Sequence, residues 1–321
     1  LLRGGVAVAY YNANEMVRLT RIAMGITQEE LCFGICEVST LSKMENGHFR
    51  IKQSTYRKLM EKMGRMPEKR YAICLDNEGE IAEDRIEWER AYNSQDIERA
   101  ESYLRKMKET ADDNLLTSQY LARAETLIEY RLGRITAEEL IKQIDGAIRM
   151  TVPDYEIYLK QENVFPFMKE ELLALMSLAN AYRKVGASER SIQIYDKLLK
   201  CLSADYINEP DKSTIAIMVK YNVIRMYAEN GKHIEAIKEC DECLRFCKKR
   251  DYSSLILFIL TAKAHNYIRL VEKGQLGEDF MQVAKKLLQQ AYGLARARAK
   301  KSAQTTIKNY YNSHWHREID G

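Results

Sequence analysis

The sequence predicts an all-α protein with a small N-terminal domain and a long helical repeat region. Of its 321 residues only 4 are Pro and 15 are Gly, while Leu, Ala, Glu and Lys, which favour helices, are abundant. Two similar stretches, around Tyr182 and Tyr227, lie 45 residues apart, as in repeat proteins. A chain of this length has room for two domains that each bury a core.

A helix start is encoded near residue 27. Thr27 and Glu30 are spaced as a capping box, in which each side chain binds the other residue's backbone N–H. We therefore expect a helix to begin at Gln28. Leu31 and Ile35 are predicted to form its buried side, because residues four apart share a helix face.

A second short helix is predicted directly after the first. Leu41 and Met44, three residues apart, would form its buried face. Gly47 would end it, because glycine adopts a positive φ without steric cost. Two short helices joined by a tight turn are the geometry of a DNA-binding helix-turn-helix.

The amino-acid sequence of this helix-turn-helix segment resembles that of a known family. Residues 27–47, together with 17–25, resemble the helix-turn-helix of the phage-repressor (XRE-like) family. Within that family, the GIC and LSKMENG sequences are most similar to Gram-positive Rgg/PlcR-type regulators. The resemblance runs from about Glu15 to Arg65, and it implies a five-helix XRE-type helix-turn-helix domain over residues 1–66.

The resemblance also implies a DNA-contact surface on the second helix of the motif. Val38, Ser39 and Lys43 would face the groove, with other side chains flanking them or holding the phosphate backbone. Gln28 would hold a phosphate. The expected DNA-binding residues are Gln28, Val38, Ser39, Thr40, Ser42, Lys43, Asn46 and Arg50.

Arg21 and Glu45 match a pair of residues that forms a structural ion pair in related repressors.

One position departs from the family pattern, since Glu37 stands where Ser or Thr is usual. Its carboxylate would either accept a hydrogen bond from a cytosine amino group or repel phosphate.

Charge is distributed unevenly along the chain. Counting Lys and Arg against Asp and Glu gives +5 for residues 1–70, −7 for 71–284 and +6 for 285–321. A basic N-terminal segment beside an acidic middle is expected of a phosphate-binding module joined to a domain that does not bind DNA.

Several function classes are disfavoured by the sequence. The longest apolar run, 255–260, is far shorter than a membrane span, and no secretory signal is recognised, so a cytoplasmic protein is expected. Cys240, Cys243 and Cys247 share a helix face and are read as core residues rather than metal ligands. No phosphate-binding glycine loop or nucleophile–histidine pair is present, so neither an enzyme nor a cofactor is expected.

Composition predicts the domain boundaries. Pro67 disfavours a helical conformation at Met66 and would end the DNA-binding domain there. Residues 67–80 read as a linker, and residues 81–321 read as a series of amphipathic helices.

The helical series contains two clear repeats, 178–195 and 223–240, and weaker copies around 88–110, 118–148 and 256–292. In the clear copies a Tyr is followed by a Gly four residues on and by a small residue, Ser191 or Ala236, five further on. This pattern is typical of tetratricopeptide (TPR) repeats, in which Gly permits the turn and the small residue lets two helices approach. The 45-residue spacing exceeds the TPR period of about 34, so HEAT-like repeats remain an alternative.

Either kind of repeat would form a right-handed α-solenoid with a concave groove suited to an extended peptide. An Asn amide can bind a peptide backbone, and an Arg can hold a carboxylate. The expected peptide-binding residues, on the first helix of each clear repeat, are Ser177, Asn180, Arg183, Tyr221, Asn222 and Arg225.

A helix-turn-helix joined to TPR-like repeats is the architecture of the Rgg/PlcR-type receptors. The resemblance therefore implies a homodimer that binds a double-stranded DNA operator and responds to a short signalling peptide, as in quorum sensing. The alternative is a constitutive XRE-family regulator whose repeats only dimerise or bind a protein partner. An enzyme or phosphatase-type adaptor is the third and least favoured hypothesis.

Overall fold

The computed structural model describes residues 11–65, 78–111, 115–207, 209, 211–249, 255–316 and 319. Throughout these residues the regular structure is helical, apart from one isolated antiparallel bridge between Tyr11 and Ile207. The chain divides into two compact units, Leu1–Lys212 and Ser213–Gly321. No helix in the described ranges is long and apolar enough to cross a membrane.

Four short helices form the N-terminal head of the first unit. The side chain of Asn12 caps the first of them, and the predicted capping box of Thr27 and Glu30 starts the second at Gln28. Buried side chains from all four helices, such as Val17, Leu41 and Leu59, make one core. The helices are α1 Ala13–Ala23, α2 Gln28–Cys32, α3 Val38–Glu45 and α4 Gln53–Lys62.

One detail of the helix-turn-helix differs from the sequence prediction. α2 ends at Cys32, so Ile35 lies in the turn and not on the buried side of the helix. The chain leaves the helix because Gly34 has a φ of 76°, in the left-handed region. The Cys36 N–H then binds the Cys32 carbonyl at 3.0 Å, which closes the turn.

The expected domain boundary at Met66 and Pro67, and most of the expected linker, lie outside the described residues. The described residues of the head form four helices, and the next described helix, α5, packs with the repeats. The predicted fifth head helix therefore falls outside the described residues. The end of the linker is corrected: α5 begins at Glu78 and not at Ile81.

Helical hairpins make up the rest of the first unit. The small Ser191 is fully buried where two helices of one hairpin meet, and its Oγ donates to the Ala179 carbonyl at 2.8 Å. This contact is the close approach that the repeat pattern predicts. The helices are α5 Glu78–Asn93 with α6 Ile97–Thr110, α7 Leu115–Arg131 with α8 Ala137–Arg149, the short α9 Tyr155–Lys160, and α10 Lys169–Lys184 with α11 Ser188–Ser203.

The second unit continues with the same kind of hairpin. Ala236 is fully buried at the position equivalent to Ser191, and Cys240, Cys243 and Cys247 are buried core residues of their helix, as predicted. The helices are α12 Asp211–Glu229, α13 His233–Lys249, α14 Ile256–Glu272, α15 Asp279–Ala297 and α16 Lys301–Trp315.

The hairpin turns share one geometry. Gly186 and Gly231, predicted as turn residues, have φ values of 80° and 73°. The N–H of the next residue binds the carbonyl five positions earlier, as in a Schellman motif. Gln95 adopts the same conformation, φ 67°, between α5 and α6, so the repeat does not need glycine at every turn. The weaker copies around 88–110, 118–148 and 256–292 are hairpins as predicted.

Candidate DNA-binding surface and repeat-helix site

The recognition helix α3 has a buried side and an exposed side. Leu41 and Met44 are buried against the head core. Val38 is 39% exposed, and Ser39 and Lys43 are exposed. The three side chains expected to face a DNA groove are therefore accessible. The flanking Thr40 and Ser42 are half-buried, and Asn46 and Arg50 beyond the helix are exposed.

Both ends of α3 are defined by backbone geometry. Glu37 is the N-cap residue, but its side chain makes no capping hydrogen bond. At the other end Gly47, with φ 74°, and His48 form a Schellman motif: the Gly47 N–H binds Met44 O at 2.9 Å and the His48 N–H binds Lys43 O at 3.0 Å. The stop at Gly47 agrees with the sequence prediction.

An ion-pair network underlies the motif. Arg21 Nε and Nη2 each donate to a different oxygen of Glu45 at 2.7 Å, a two-point geometry. Arg21 Nη1 donates to Ile26 O at 3.0 Å. Glu45 is buried, whereas Arg21 is partly exposed. The network ties α1 to the end of α3.

Gln28 belongs to the same network. Its Nε2 donates to Glu45 Oε2 at 2.7 Å, so one amide hydrogen is bound within the head. The other amide hydrogen is the donor that remains for the phosphate contact expected of Gln28.

Sequence reasoning missed Asn14, which fixes the loop after α3. Its Nδ2 donates to Met44 O at 2.6 Å and to Phe49 O at 2.8 Å, and its Oδ1 accepts from the Ile51 N–H at 3.3 Å. These bonds position the segment that carries Arg50. No periodicity or motif in the sequence predicts them, because the partners are backbone groups thirty or more residues away.

A buried ion pair joins the head to the repeats within the first unit. Arg65 Nη1 and Nη2 donate to the two oxygens of Glu171 at 3.0 Å, and Nη1 also contacts Thr151 O at 3.3 Å. The guanidinium lies 4.9 Å from the centre of the Phe165 ring. Burial opposes the charge, but the attraction and hydrogen bonding of Glu171 outweigh it and raise the pKa of Arg65.

Residues before α1 make a second connection. The Tyr11 hydroxyl accepts from the Lys169 N–H at 2.9 Å, and the Asn12 N–H donates to Tyr206 O at 2.9 Å. Both partners belong to the α10–α11 region. The head is therefore held to α10 at two places, neither of which the sequence analysis identified.

On α10, the predicted peptide residues lie in a polar environment. Ser177 is 8% exposed, donates to Leu173 O at 2.9 Å and accepts from Arg123 Nε at 3.3 Å. Asn180 is half-buried and accepts from the Tyr195 hydroxyl at 2.8 Å through its Oδ1. This leaves the Asn180 amide N–H groups for other partners. Arg183 is largely buried.

The remaining predicted peptide residues lie on α12 in the second unit. Asn222 is 9% exposed, while Tyr221 and Arg225 are half-buried. The Tyr221 ring lies 6.2 Å from that of Phe258. Asn222, like Ser177 and Arg183 on α10, is thus less accessible than the groove prediction implies.

A group of partly buried charges on α5, α7 and α10 was not predicted. Arg85 binds Glu170 at 2.8 Å and lies 3.9 Å from the Tyr120 ring centre. Burial, followed by the charge of Glu170, raises the pKa of Glu89. Arg123 Nη1 and Glu170 Oε2 are buried without a hydrogen-bond partner among the described residues. The first helices α5, α7 and α10 therefore carry polar groups able to bind a polar ligand.

Comparison with known proteins agrees with this architecture. A helix-turn-helix family model matches residues 17–68, and the model of the RNPP family C-terminal domain matches residues 86–265. No curated protein sequence gives a significant match.

Solved structures share the fold at low sequence identity. Bacillus thuringiensis PlcR, in complex with the peptide PapR7 and DNA, is 16% identical with a TM-score of 0.60, over 93% of this chain and 99% of that chain. ComR from S. thermophilus, in complex with DNA and its signalling peptide ComS, is 14% identical with a TM-score of 0.51, over 94% and 99%. Because the C-terminal model matches more than half of the sequence, the chain belongs to the RNPP family.

Proposed function

We propose that this protein is a transcriptional regulator that binds a double-stranded DNA operator and is controlled by a short signalling peptide, as in quorum sensing. The observation that carries the proposal is the exposed face of α3 in a chain that also has an RNPP C-terminal domain. The role is regulation and not catalysis, and we expect it to be exercised in the cytoplasm.

DNA recognition is assigned to the exposed face of α3. Lys43 and Ser39 would read base edges, and Val38 would contact a thymine methyl group. Asn46, Arg50 and the remaining amide hydrogen of Gln28 would hold the phosphate backbone, with Thr40 and Ser42 flanking the base contacts. The charge of +5 over residues 1–70 supports attraction to the duplex.

Peptide recognition is assigned to the first helices of the hairpins. In the first unit, the Asn180 amide would bind the peptide backbone, with Ser177 and Arg183 beside it. In the second unit, Tyr221, Asn222 and Arg225 are the proposed contacts. PlcR and ComR, which share this fold, were each solved in complex with DNA and a peptide, and this supports the proposal that one chain binds both kinds of ligand.

The ion pair of Arg65 with Glu171 suggests how peptide binding could change DNA binding by the head. Glu171 and Asn180 lie on the same helix, α10, and Glu171 holds Arg65 of the head. A peptide that shifts α10 would therefore act directly on the buried ion pair. Such a shift is a way to couple peptide binding to the position of the head.

A homodimer is part of the proposal. One helix-turn-helix reads one half-site, and useful specificity normally needs two half-sites about 34 Å apart. The operator is therefore expected to be a two-fold symmetric sequence.

Selection from a random duplex library by the full-length protein tests the function. We expect one symmetric motif to be enriched, and we expect synthetic peptides copied from short reading frames beside the gene to change its binding. Enrichment of a motif without any peptide response favours the constitutive alternative. Failure to enrich a motif contradicts the proposed function itself.

A further inference from the structure

The C-terminal hairpin has an unusual charge composition. From residue 280 to residue 317 the sequence contains eight Lys and Arg residues and no Asp or Glu. This segment includes nearly all of α15 and all of α16. Four of its cations, at positions 286, 296, 300 and 301, are exposed. We call these four side chains the basic terminal patch.

Two half-buried lysines elsewhere in the same unit are paired with carboxylates. Lys220 binds Glu239 at 2.6 Å, and Lys263 binds Asp241 at 2.5 Å. The four cations of the patch form no ion pair with any described residue, although the Lys300 ammonium lies 5.6 Å from the centre of the Phe258 ring. No described carboxylate therefore neutralises these four charges.

The chain conformation concentrates these charges. Ala299 has a φ of 52°, a left-handed conformation that is unfavourable for residues other than glycine. The Lys300 N–H binds Ala295 O at 3.0 Å and closes a tight turn between α15 and α16. Arg296, Lys300 and Lys301 are thereby held around one turn.

From this charge and geometry we infer that the basic terminal patch binds the phosphate backbone of double-stranded DNA, independently of base sequence and in addition to the contacts of the head. Exposed cations that lack a carboxylate partner are what phosphate neutralisation and counterion release require. The partner is a polyanion that the proposed function already brings to this protein.

The composition of the surface disfavours a lipid partner. Among the described residues after Val283, no large hydrophobic side chain is exposed, whereas a membrane-bound helix inserts such side chains. Apart from Lys301, the exposed positions of α16 carry small polar side chains: Ser302, Thr305, Thr306, Asn309 and Ser313.

Salt-dependent binding of a 30-base-pair duplex without the operator motif tests the inference. The variant replaces Lys286, Arg296, Lys300 and Lys301 with Gln in the full-length protein. We expect the slope of log affinity against log salt to flatten by about 2–4, and affinity at low salt to fall about ten-fold or more. The ratio of operator to non-operator affinity should stay within about two-fold of wild type, because base reading resides in α3.

A matched control removes the same number of charges elsewhere. Replacing Arg90, Arg99, Lys108 and Arg134 with Gln changes exposed cations that are paired with carboxylates. This control should leave the salt slope unchanged. An equal loss in both variants, or no loss in the patch variant, would overturn the inference.

Two further probes separate other polyanions. If the patch variant loses binding to vesicles containing phosphatidylserine, or to polyglutamate, while its DNA slope stays at the wild-type value, the inference is wrong. If the wild-type protein binds operator and non-operator duplexes equally, the proposed function is contradicted. The effect of the patch variant on non-specific DNA binding would still test the inference about the patch.

Discussion

Lys43 is exposed on α3, while Leu41 and Met44 of the same short helix are buried. This division follows from helical periodicity and was predictable from the sequence. The roles of Asn14 and Gln28 within the head were not, because a polar side chain has many possible partners and the sequence does not rank them. At the scale of the residue, apolar positions are predictable and polar contacts are not.

Lys43→Ala tests base reading by α3. We expect it to cost about 1–3 kcal/mol at the operator and to relax the preference at one base position. Arg50→Ala should weaken binding to all sequences alike, because a phosphate contact carries no base information. Binding-site selection with each variant is the measurement. Lys58→Ala, an exposed lysine of α4, is the control, and an unchanged base preference in Lys43→Ala would refute its assignment.

The Arg21–Glu45 pair predicts strong coupling in the head. Arg21→Met leaves a buried carboxylate with only Gln28, so we expect a loss of about 3 kcal/mol in the free energy of unfolding. The double variant Arg21→Met/Glu45→Leu should lose clearly less, since no charge is stranded. Thermal or urea unfolding of the four proteins of the cycle measures the coupling. Additive losses would show that the pair does not stabilise the head.

At the scale of the element, the hairpins were predictable where their turns and small residues follow the repeat pattern. Gly186, Ser191 and Ala236 match the Gly and small-residue positions of the repeat pattern, so their hairpins were recognised clearly. The hairpin of α5 and α6 has Gln95 in place of the turn glycine, so the pattern identified it less clearly. The spacing is uneven because α9 and its flanking loops separate α8 from α10, and such an insertion leaves no periodic trace in the sequence.

Overpacking at Ser191 tests the close approach of α10 and α11. Ser191→Leu should destabilise the protein by about 1–3 kcal/mol, because a larger side chain does not fit where the hydroxyl contacts the Ala179 carbonyl. Gln193→Leu, at an exposed position of α11, is the matched control and should change stability by less than about 0.5 kcal/mol. Similar unfolding midpoints for the two variants would contradict the packing account.

The Arg65–Glu171 pair carries the proposed coupling between head and repeats. Glu171→Gln removes the charge partner of a buried guanidinium, and we expect a loss of about 3–5 kcal/mol in stability. The double variant Arg65→Met/Glu171→Leu should recover much of that stability. Its operator binding without peptide should persist, while the peptide response should decrease.

Comparison of operator affinity with and without peptide, in wild type and in the double variant, separates coupling from folding. A double variant with normal stability and a full peptide response would show that the signal does not pass through this pair.

At the scale of the whole molecule, the order of the helix-turn-helix head and the repeats along the chain was predictable, but the contacts that hold the head to the first repeats were not. The helix-turn-helix motif and the repeat pattern are local signals, so both could be recognised in the sequence. The contacts of Tyr11 and Arg65 with the α10–α11 region are long-range, and no local pattern predicts them. They place the head in the same compact unit as the first hairpins, which the boundary drawn at Met66 and Pro67 does not suggest.

In the proposed function, one protein binds both an operator and a peptide, and binding of one ligand changes the affinity for the other. Thermodynamic linkage requires the coupling to be reciprocal. The most direct measurement is a pair of titrations on the full-length protein: operator affinity with and without saturating peptide, and peptide affinity with and without saturating operator. We predict that both affinities change by the same factor, about 5–150-fold, and that Asn180→Ala abolishes the peptide response but not peptide-free operator binding. Identical operator affinity in the presence and absence of every peptide encoded beside the gene would contradict the account.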